Sequence, residues 1–350
     1  MTLPSSLAEA LRRTQSGDLT GATALIRAAL GGGADRRPII APLDVVIDLK
    51  SERTVDAPRP RDATARRGCF EERVHDGPAG RLAYMLYRPQ TSSPGMPLVI
   101  MLHGCTQSPE DFAAGTGMNR LAEELGFLVA YPRQTQAANQ QRCWNWFRAG
   151  DQVRGRGEPA LIAGVTQDVI RMEDADATRV YVAGLSAGGA AAAIMADTYP
   201  DLFAAAGVHS GLPAGAARNL PGALSAMKQG AAFKDRRKIA ARFVPLITFH
   251  GDRDGTVNEA NACDLVAAAT AAAGVSIKVE TETGVAGGRS FARALSRNAD
   301  GRVLIEQWTV AGAGHAWSGG DTAGSYADAA GPNASREMLR FFLDQRHAAE

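Results

Sequence analysis

The sequence predicts an α/β domain with a mainly parallel central sheet flanked by helices, and three observations carry that prediction. From about Gly68 onward, strand-like apolar runs alternate with helix-like segments. One run, Val180-Tyr181-Val182-Ala183, leads through Gly184-Leu185-Ser186-Ala187-Gly188 into an alanine-rich helical stretch, the pattern of a nucleophile elbow. Farther on, a carboxylate and a histidine follow later strand-like runs, in the chain order Ser, Asp, His.

The elements follow in order along the 350 residues. Ser5 to Leu30 read as two short helices broken at Ser16-Gly17-Asp18, with Leu19, Ala22, Ile26, Ala29 and Leu30 on one apolar face. A hairpin over residues 1–30 cannot bury that face alone, so residues 5–30 are expected to dock on the main domain or on a partner. Residues 31–67 open with Gly31-Gly32-Gly33 and read as a linker. The catalytic domain is expected over 68–350. Its expected strands are Arg81–Tyr87, Leu98–Leu102, Phe127–Tyr131, Arg179–Ala183, Phe203–Val208, Phe243–His250, Ser276–Glu280 and Val303–Val310. Its expected helices are Asn119–Leu125, Ala160–Met172, Ala187–Thr198, Val257–Ala273 and Ser335–Asp344. Pro213 to Ile239 breaks the alternation and is expected to form a lid or pocket wall.

Composition excludes several classes. Lys and Arg total 38 against 37 Asp and Glu, a net charge of +1 that gives nucleic acid no electrostatic footprint. No apolar run is long enough for a membrane span. The first thirty residues carry Glu9, Arg12, Arg13, Asp18 and Arg27 where a signal peptide needs an unbroken apolar core, which points to the cytoplasm. Cys69, Cys105, Cys143 and Cys263 form no CxxC pair or Cys/His cluster, so no metal site is expected.

The chemistry resides in four segments. A bare Gly-x-Ser-x-Gly match arises about 0.2 times by chance in this composition, so its weight comes from the strand before it and the helix after it. A serine hydroxyl needs a base, and the base needs an orienting acid. Pro245 to Phe249 runs into His250-Gly251-Asp252-Arg253-Asp254, and Val303 to Val310 runs into Gly312-Ala313-Gly314-His315-Ala316-Trp317. Asp254 is preferred over Asp252 by the His-Gly-x-x-Asp spacing, and His250 reads as a turn-stabilising residue. Singly, Asp254 could be a surface turn acid and His315 a structural histidine; jointly, behind an elbow, they read as catalytic acid and base. Two backbone donors for an oxyanion are expected at Ala187, after the serine, and at Cys105, in His103-Gly104-Cys105-Thr106-Gln107 after Leu98–Leu102. Cys143-Trp144-Asn145-Trp146-Phe147 reads either as a hydrophobic cluster under a loop or as an acyl-pocket wall. His103, Trp144, Asn145, Trp146 and Trp317 are therefore the substrate-binding candidates.

Together the segments around Gly104-Cys105, Trp144-Asn145-Trp146, Ser186 and His315-Ala316-Trp317-Ser318-Gly319-Gly320 resemble the esterases of the poly(3-hydroxybutyrate) depolymerase family, which includes feruloyl and acetylxylan esterase-like members. The similarity runs from about Gly68 to Arg346. It implies an α/β-hydrolase fold, Ser186 as nucleophile, Asp254 as acid, His315 as base and oxyanion donors at Cys105 and Ala187. It also implies a disulfide between Cys105 and Cys143, and an ester substrate such as a hydroxyalkanoate oligomer or polymer, or an aryl ester. No cofactor is expected, and residues 5–30 become a candidate for docking on a granule. Many members are extracellular, which pulls against the cytoplasmic expectation above.

Overall fold

The computed structural model describes residues 68–231 and 242–347. The expected hairpin and linker, residues 1–67, lie outside the described residues, as does the end of the expected Pro213–Ile239 lid.

Five short apolar runs form the middle of the sheet, and each is buried at every residue: β3 (Leu98–Leu102), β4 (Leu128–Pro132), β5 (Val180–Leu185), β6 (Ala205–His209) and β7 (Leu246–Gly251). Burial on both faces is why they read as continuous hydrophobic runs. Alternate side chains enter opposite cores: Leu98, Ile100 and Leu102 join one, Val99 and Met101 the other. With β1 (Cys69–Gly77), β2 (Gly80–Arg88), β8 (Lys278–Ala286), β9 (Arg289–Arg297) and β10 (Val303–Val310), they make a ten-stranded sheet of order β1-β2-β4-β3-β5-β6-β7-β10-β9-β8. Pairing is parallel from β4 through β10 and antiparallel at both flanks.

The flanks are where the sequence expectations fall short. β1 and β9 were not among the expected strands, and the expected strand at Ser276–Glu280 is only the start of β8. β1 alternates exposed and half-buried residues, and β8 is exposed along most of its length, so neither has the apolar run that marks the central strands. The β8–β9 turn consists of Gly287 and Gly288, at φ 53° and 77°, the left-handed pair that a two-residue hairpin requires.

The helices are α1 (Pro109–Thr116), α2 (Met118–Leu125), α3 (Gly157–Glu173), α4 (Ala187–Thr198), α5 (Leu220–Gln229), α6 (Ala260–Ala273) and α7 (Ala334–Leu343). Helix α1 was not expected; Ser108 caps it by accepting from Asp111 N–H, and left-handed Gly117 ends it. Helix α5 lies inside the stretch expected to be a lid and is capped by Asn219. Helix α7 closes one core, where Phe342 stacks on Tyr181 at 5.1 Å between centroids. Helix α4, nearly all Ala and Gly through Ala193, packs into the other core beneath β5. Because the central strands are parallel, the loops after β3, β5, β6, β7 and β10 all emerge at one edge of the sheet.

Candidate active site

The elbow begins with a backbone problem. Ser186 lies between β5 and α4 at φ 57° and ψ −118°, a conformation that costs a non-glycine residue on the order of 1–3 kcal/mol. Its neighbours over-determine it. Ser186 N–H donates to His209 C=O at 2.9 Å, and Ser186 C=O accepts from Ala190 N–H at 2.9 Å. A Cβ on Gly184 would lie 2.3 Å from the Gly188 carbonyl carbon, and one on Gly188 would lie 1.9 Å from Leu102 O. Only glycine at both positions lets β3, β5 and the first turn of α4 approach this closely.

The loop after β3 runs beside the serine. A Cβ on Gly104 would come 3.7 Å from the Ser186 Cβ, while Gly104 N–H is held by Gln107 Oε1 at 2.8 Å. Gln107 in turn donates to Asp111 Oδ2 and Ser325 O, so the loop is braced from α1 and from the segment before Ala327–Asp328. Among the described residues, nothing accepts a hydrogen bond from the N–H of Cys105 or Ala187. Ala187 also heads a twelve-residue helix, whose N-terminal dipole favours negative charge.

Asp254 follows β7 and His315 follows β10, the neighbouring parallel strand. His315 Nδ1 and Asp254 Oδ2 are 2.7 Å apart, so Nδ1–H donates and Nε2 is left as the acceptor nitrogen. The Asp254 side chain is fully buried, and its Oδ1 accepts from Thr256 N–H and Val257 N–H, both at 2.9 Å. Burial pushes its pKa up, but the hydrogen bond and charge of His315, with the two backbone donors, outweigh it and hold the carboxyl at about 2. Asp252 is used elsewhere: its Oδ1 accepts from Gly312 N–H at 2.6 Å. His250 is buried beneath Asp254, where Nε2–H donates to Val257 O at 2.8 Å and lies 3.5 Å from Asp254 Oδ2; burial pushes its pKa down. Among the described residues no hydrogen bond joins Ser186 Oγ to His315, a contact that in hydrolases tightens around bound substrate.

His209, which the sequence reading did not single out, connects the two halves. Its carbonyl holds Ser186 N–H, and its ring Nε2 accepts from Ser318 N–H at 3.0 Å, three residues past His315. The ring stacks on Phe249 and Trp317, with centroids at 5.8 and 5.0 Å. Burial first, then the charges of His250 and His315, push its pKa down to about 3, so it remains a neutral acceptor. A signal was available: a polar residue ends a buried strand at the sheet edge that carries the other loops.

All five substrate-binding candidates are buried. His103 is 1% exposed; its Nδ1–H donates to Gly104 O, its Nε2 accepts from Gln134 N–H, and burial lowers its pKa to about 4. Trp144 is 0% exposed and donates Nε1–H to His103 O at 3.1 Å. Trp317 is wedged under the His315 loop against Phe112, with Nε1–H on Ser335 Oγ. Asn145 is buried, and both its backbone and side-chain N–H groups donate to Glu158 at 2.6 Å. Trp146 lines a water-sized cavity of about 10 Å³ with Glu158, Ile162 and Ala191, too small for an acyl chain. Each of these side chains is buried and, apart from that of Trp146, hydrogen-bonded within the protein. Their anchor, Glu158, has its pKa pushed up to about 7 by burial, against hydrogen bonds from Asn145 and Gln134 that pull it down. Cys105 and Cys143 are joined in a disulfide, which ties this loop to the one carrying Cys105 N–H.

Known proteins bear on this arrangement. Residues 82–287 match the model of the family described as Esterase PHB depolymerase. Over 246 residues the chain is 34% identical to the poly(3-hydroxyalkanoate) depolymerase C of Paucimonas lemoignei, covering 67% of this chain and 58% of that protein. It is 32% identical to a probable acetylxylan esterase A of Aspergillus fumigatus, covering 49% of this chain and 47% of that one. It is also 31% identical to feruloyl esterase B of Thermothelomyces thermophilus, covering 41% and 48%. The chain thus spans about half to three-fifths of the length of these relatives. Among solved structures, an acetyl xylan esterase from Aspergillus awamori superposes with a TM-score of 0.58 at 20% identity, over 78% of this chain and 99% of that one, which shows a shared fold.

Proposed function

The chain belongs to the PHB depolymerase family of esterases, an α/β-hydrolase fold, and on that premise we propose that it is a carboxylic-ester hydrolase acting on short-chain hydroxyalkanoate esters. The observation that supports this best is the Asp254–His315 pair, at the ends of adjacent strands, on the sheet edge where Ser186 sits strained before α4.

Ser186 Oγ attacks the ester carbonyl carbon while its proton passes to His315 Nε2. Asp254, ionised because its pKa is held near 2, stabilises the resulting imidazolium through Nδ1–H. The N–H groups of Cys105 and Ala187 hold the tetrahedral oxyanion, a contribution of about 3–4 kcal/mol per donor in serine hydrolases. The ester C–O bond breaks and the leaving alcohol takes the proton from His315. Water then gives a proton to His315 and attacks the acyl carbon. The acid departs, and Ser186 regains its proton.

A second reading, an acetyl or feruloyl carbohydrate esterase, is favoured by the names of two of the relatives above. The test sets wild type beside Ser186→Ala and His315→Ala on a 3-hydroxybutyrate oligomer, an acetylated xylan and a feruloyl ester. Each variant should fold normally and lose at least about 10³-fold in turnover. Near-wild-type rates in either would sink the mechanism, and serine-dependent cleavage of the carbohydrate esters alone would move the substrate class.

A further inference from the structure

Among the described residues, non-glycine positions with positive φ are Thr106, Arg142, Asp174, Ser186, Ser210 and Tyr326. Asp174 ends a helix, Ser186 is the elbow and Ser210 follows His209. The other three come from distant parts of the chain and meet. Thr106, at φ 67°, accepts at its carbonyl from Arg142 Nη2 at 2.8 Å, and its Oγ1 lies 3.4 Å from Tyr326 OH. Thr106 N–H donates to Gln141 O at 2.6 Å. Thr106 directly follows Cys105, Arg142 directly precedes Cys143, and Tyr326 C=O accepts from Trp317 N–H, two residues past His315. The trio therefore bridges the loop of the expected oxyanion donor and the loop of the base, on an outer surface where Thr106 and Tyr326 are exposed. Backbone strain concentrated in contacting residues beside a reactive serine calls for a functional reason.

Charge gives that reason. No carboxylate among the described residues lies within 4.0 Å of the Arg142 guanidinium, whereas the other arginine whose charge reaches His103, Arg133, is paired with Glu72 and Glu110. The nearby acid Asp111 is occupied by Gln107 Nε2 and by the N–H and hydroxyl of Ser325. One Nη of Arg142 braces Thr106; the fork retains further N–H donors, and a guanidinium matches a carboxylate in a bidentate way. Consecutive Cα atoms are about 3.8 Å apart, so the trio, joined at Thr106, lies next to the expected oxyanion donor, Cys105 N–H, along the chain.

We propose that Arg142 and Tyr326, positioned by Thr106, bind the free carboxylate of a short hydroxy-acid oligoester, making the anionic oligomer the preferred substrate. The proposal rests on the esterase reading above and adds the leaving-group specificity.

The test compares the 3-hydroxybutyrate dimer as its free acid and as its neutral primary amide, with a p-nitrophenyl ester as control. The variants are Arg142→Met, Arg142→Lys and Tyr326→Phe, each checked for folding by thermal melt. Wild type is expected to favour the acid over the amide by at least tenfold in kcat/KM. Arg142→Met should remove most of that preference by raising KM for the acid, Arg142→Lys should recover part of it, and Tyr326→Phe should weaken it two- to threefold. Arg142→Lys matters because it keeps the charge but not the fork that braces Thr106. Equal losses on acid and amide would mean a brace only and would overturn the proposal, as would a wild type without preference. Cleavage of the p-nitrophenyl ester but of neither dimer would also overturn it while leaving the esterase reading standing. No cleavage of any of the three would bring down both.

Discussion

Two groups of loops meet at the serine, and they are held in different ways. The loops after β5, β7 and β10 are fixed largely through main chain: Ser186 by the carbonyl of His209, Asp254 by two backbone N–H groups, and the His315 turn by the bonds of Asp252 and Arg253 N–H to Val310 and Ala313 carbonyls. The segment from Gln134 to Glu158 has no strand to rest on and is held mainly by side chains: a disulfide, Gln134, Asn139, Asn145 and the half-buried Glu158. The first group takes its geometry from the sheet, so it survives most single changes outside the reactive residues. The second is a network, in which one lost partner leaves others buried and unsatisfied.

That contrast orders the expected effects. Asp254→Asn should be the most severe, cutting kcat by about 10³–10⁴-fold, because an amide at Oδ2 sets the wrong tautomer on His315; a loss below tenfold would show that another acid orients the histidine. Folding should report the same residue. A carboxyl held near 2 contributes stability that is present above its unfolded pKa near 4 and lost as pH falls from there toward 2. Acid unfolding should therefore begin at higher pH in wild type than its other carboxylates predict, and Asp254→Asn should flatten the slope below pH 4.

Next in size is the disulfide. The paired Cys105→Ser and Cys143→Ser variant releases a loop closed over a separation of 38 residues, worth up to about 4 kcal/mol in chain entropy. It should lower Tm and reduce kcat through the Cys105 N–H, and reductant alone should act the same way on wild type. Unchanged kcat would mean that Gln107 suffices to hold that loop.

His209→Phe keeps the stack on Phe249 and Trp317 but strands Ser318 N–H, at a cost of about 1–3 kcal/mol. The expected loss is about tenfold in kcat with little change in KM, and recovery in His209→Gln would identify the acceptor as the reason. An equal rise in KM would instead indicate general disruption.

The smallest effect is a pH dependence of the network. Glu158 has its folded pKa raised to about 7 against an ordinary 4.5, so it favours the unfolded state increasingly as pH rises through that window. Wild-type stability should be lower above pH 7 than near pH 4.5 on account of this group, and Glu158→Gln should narrow that difference. A denaturant titration at pH 5 and pH 8 measures it, and identical midpoints in wild type would refute the assignment.

Local pattern alone was enough for the central strands, the glycine-flanked Ser186 turn and the positions of Asp254 and His315. Each rests on a short-range requirement: a strand buried on both faces must be apolar throughout, and a turn this tight admits only glycine at 184 and 188. The flanking strands β1 and β9 escaped because a half-exposed strand carries no continuous apolar run. The roles of the aromatics and of His209 and Arg142 belong to the tertiary structure. Whether Trp144 or Trp317 faces substrate or core depends on which partners the fold brings to its ring and N–H, and those partners lie 41 and 18 residues away. His209 matters because two strands and a distant loop converge on it, and Arg142 because folding leaves it beside the Cys105 loop with no carboxylate within 4.0 Å among the described residues. Composition and periodicity encode what each residue prefers, and only the packed chain decides which of several preferences is met.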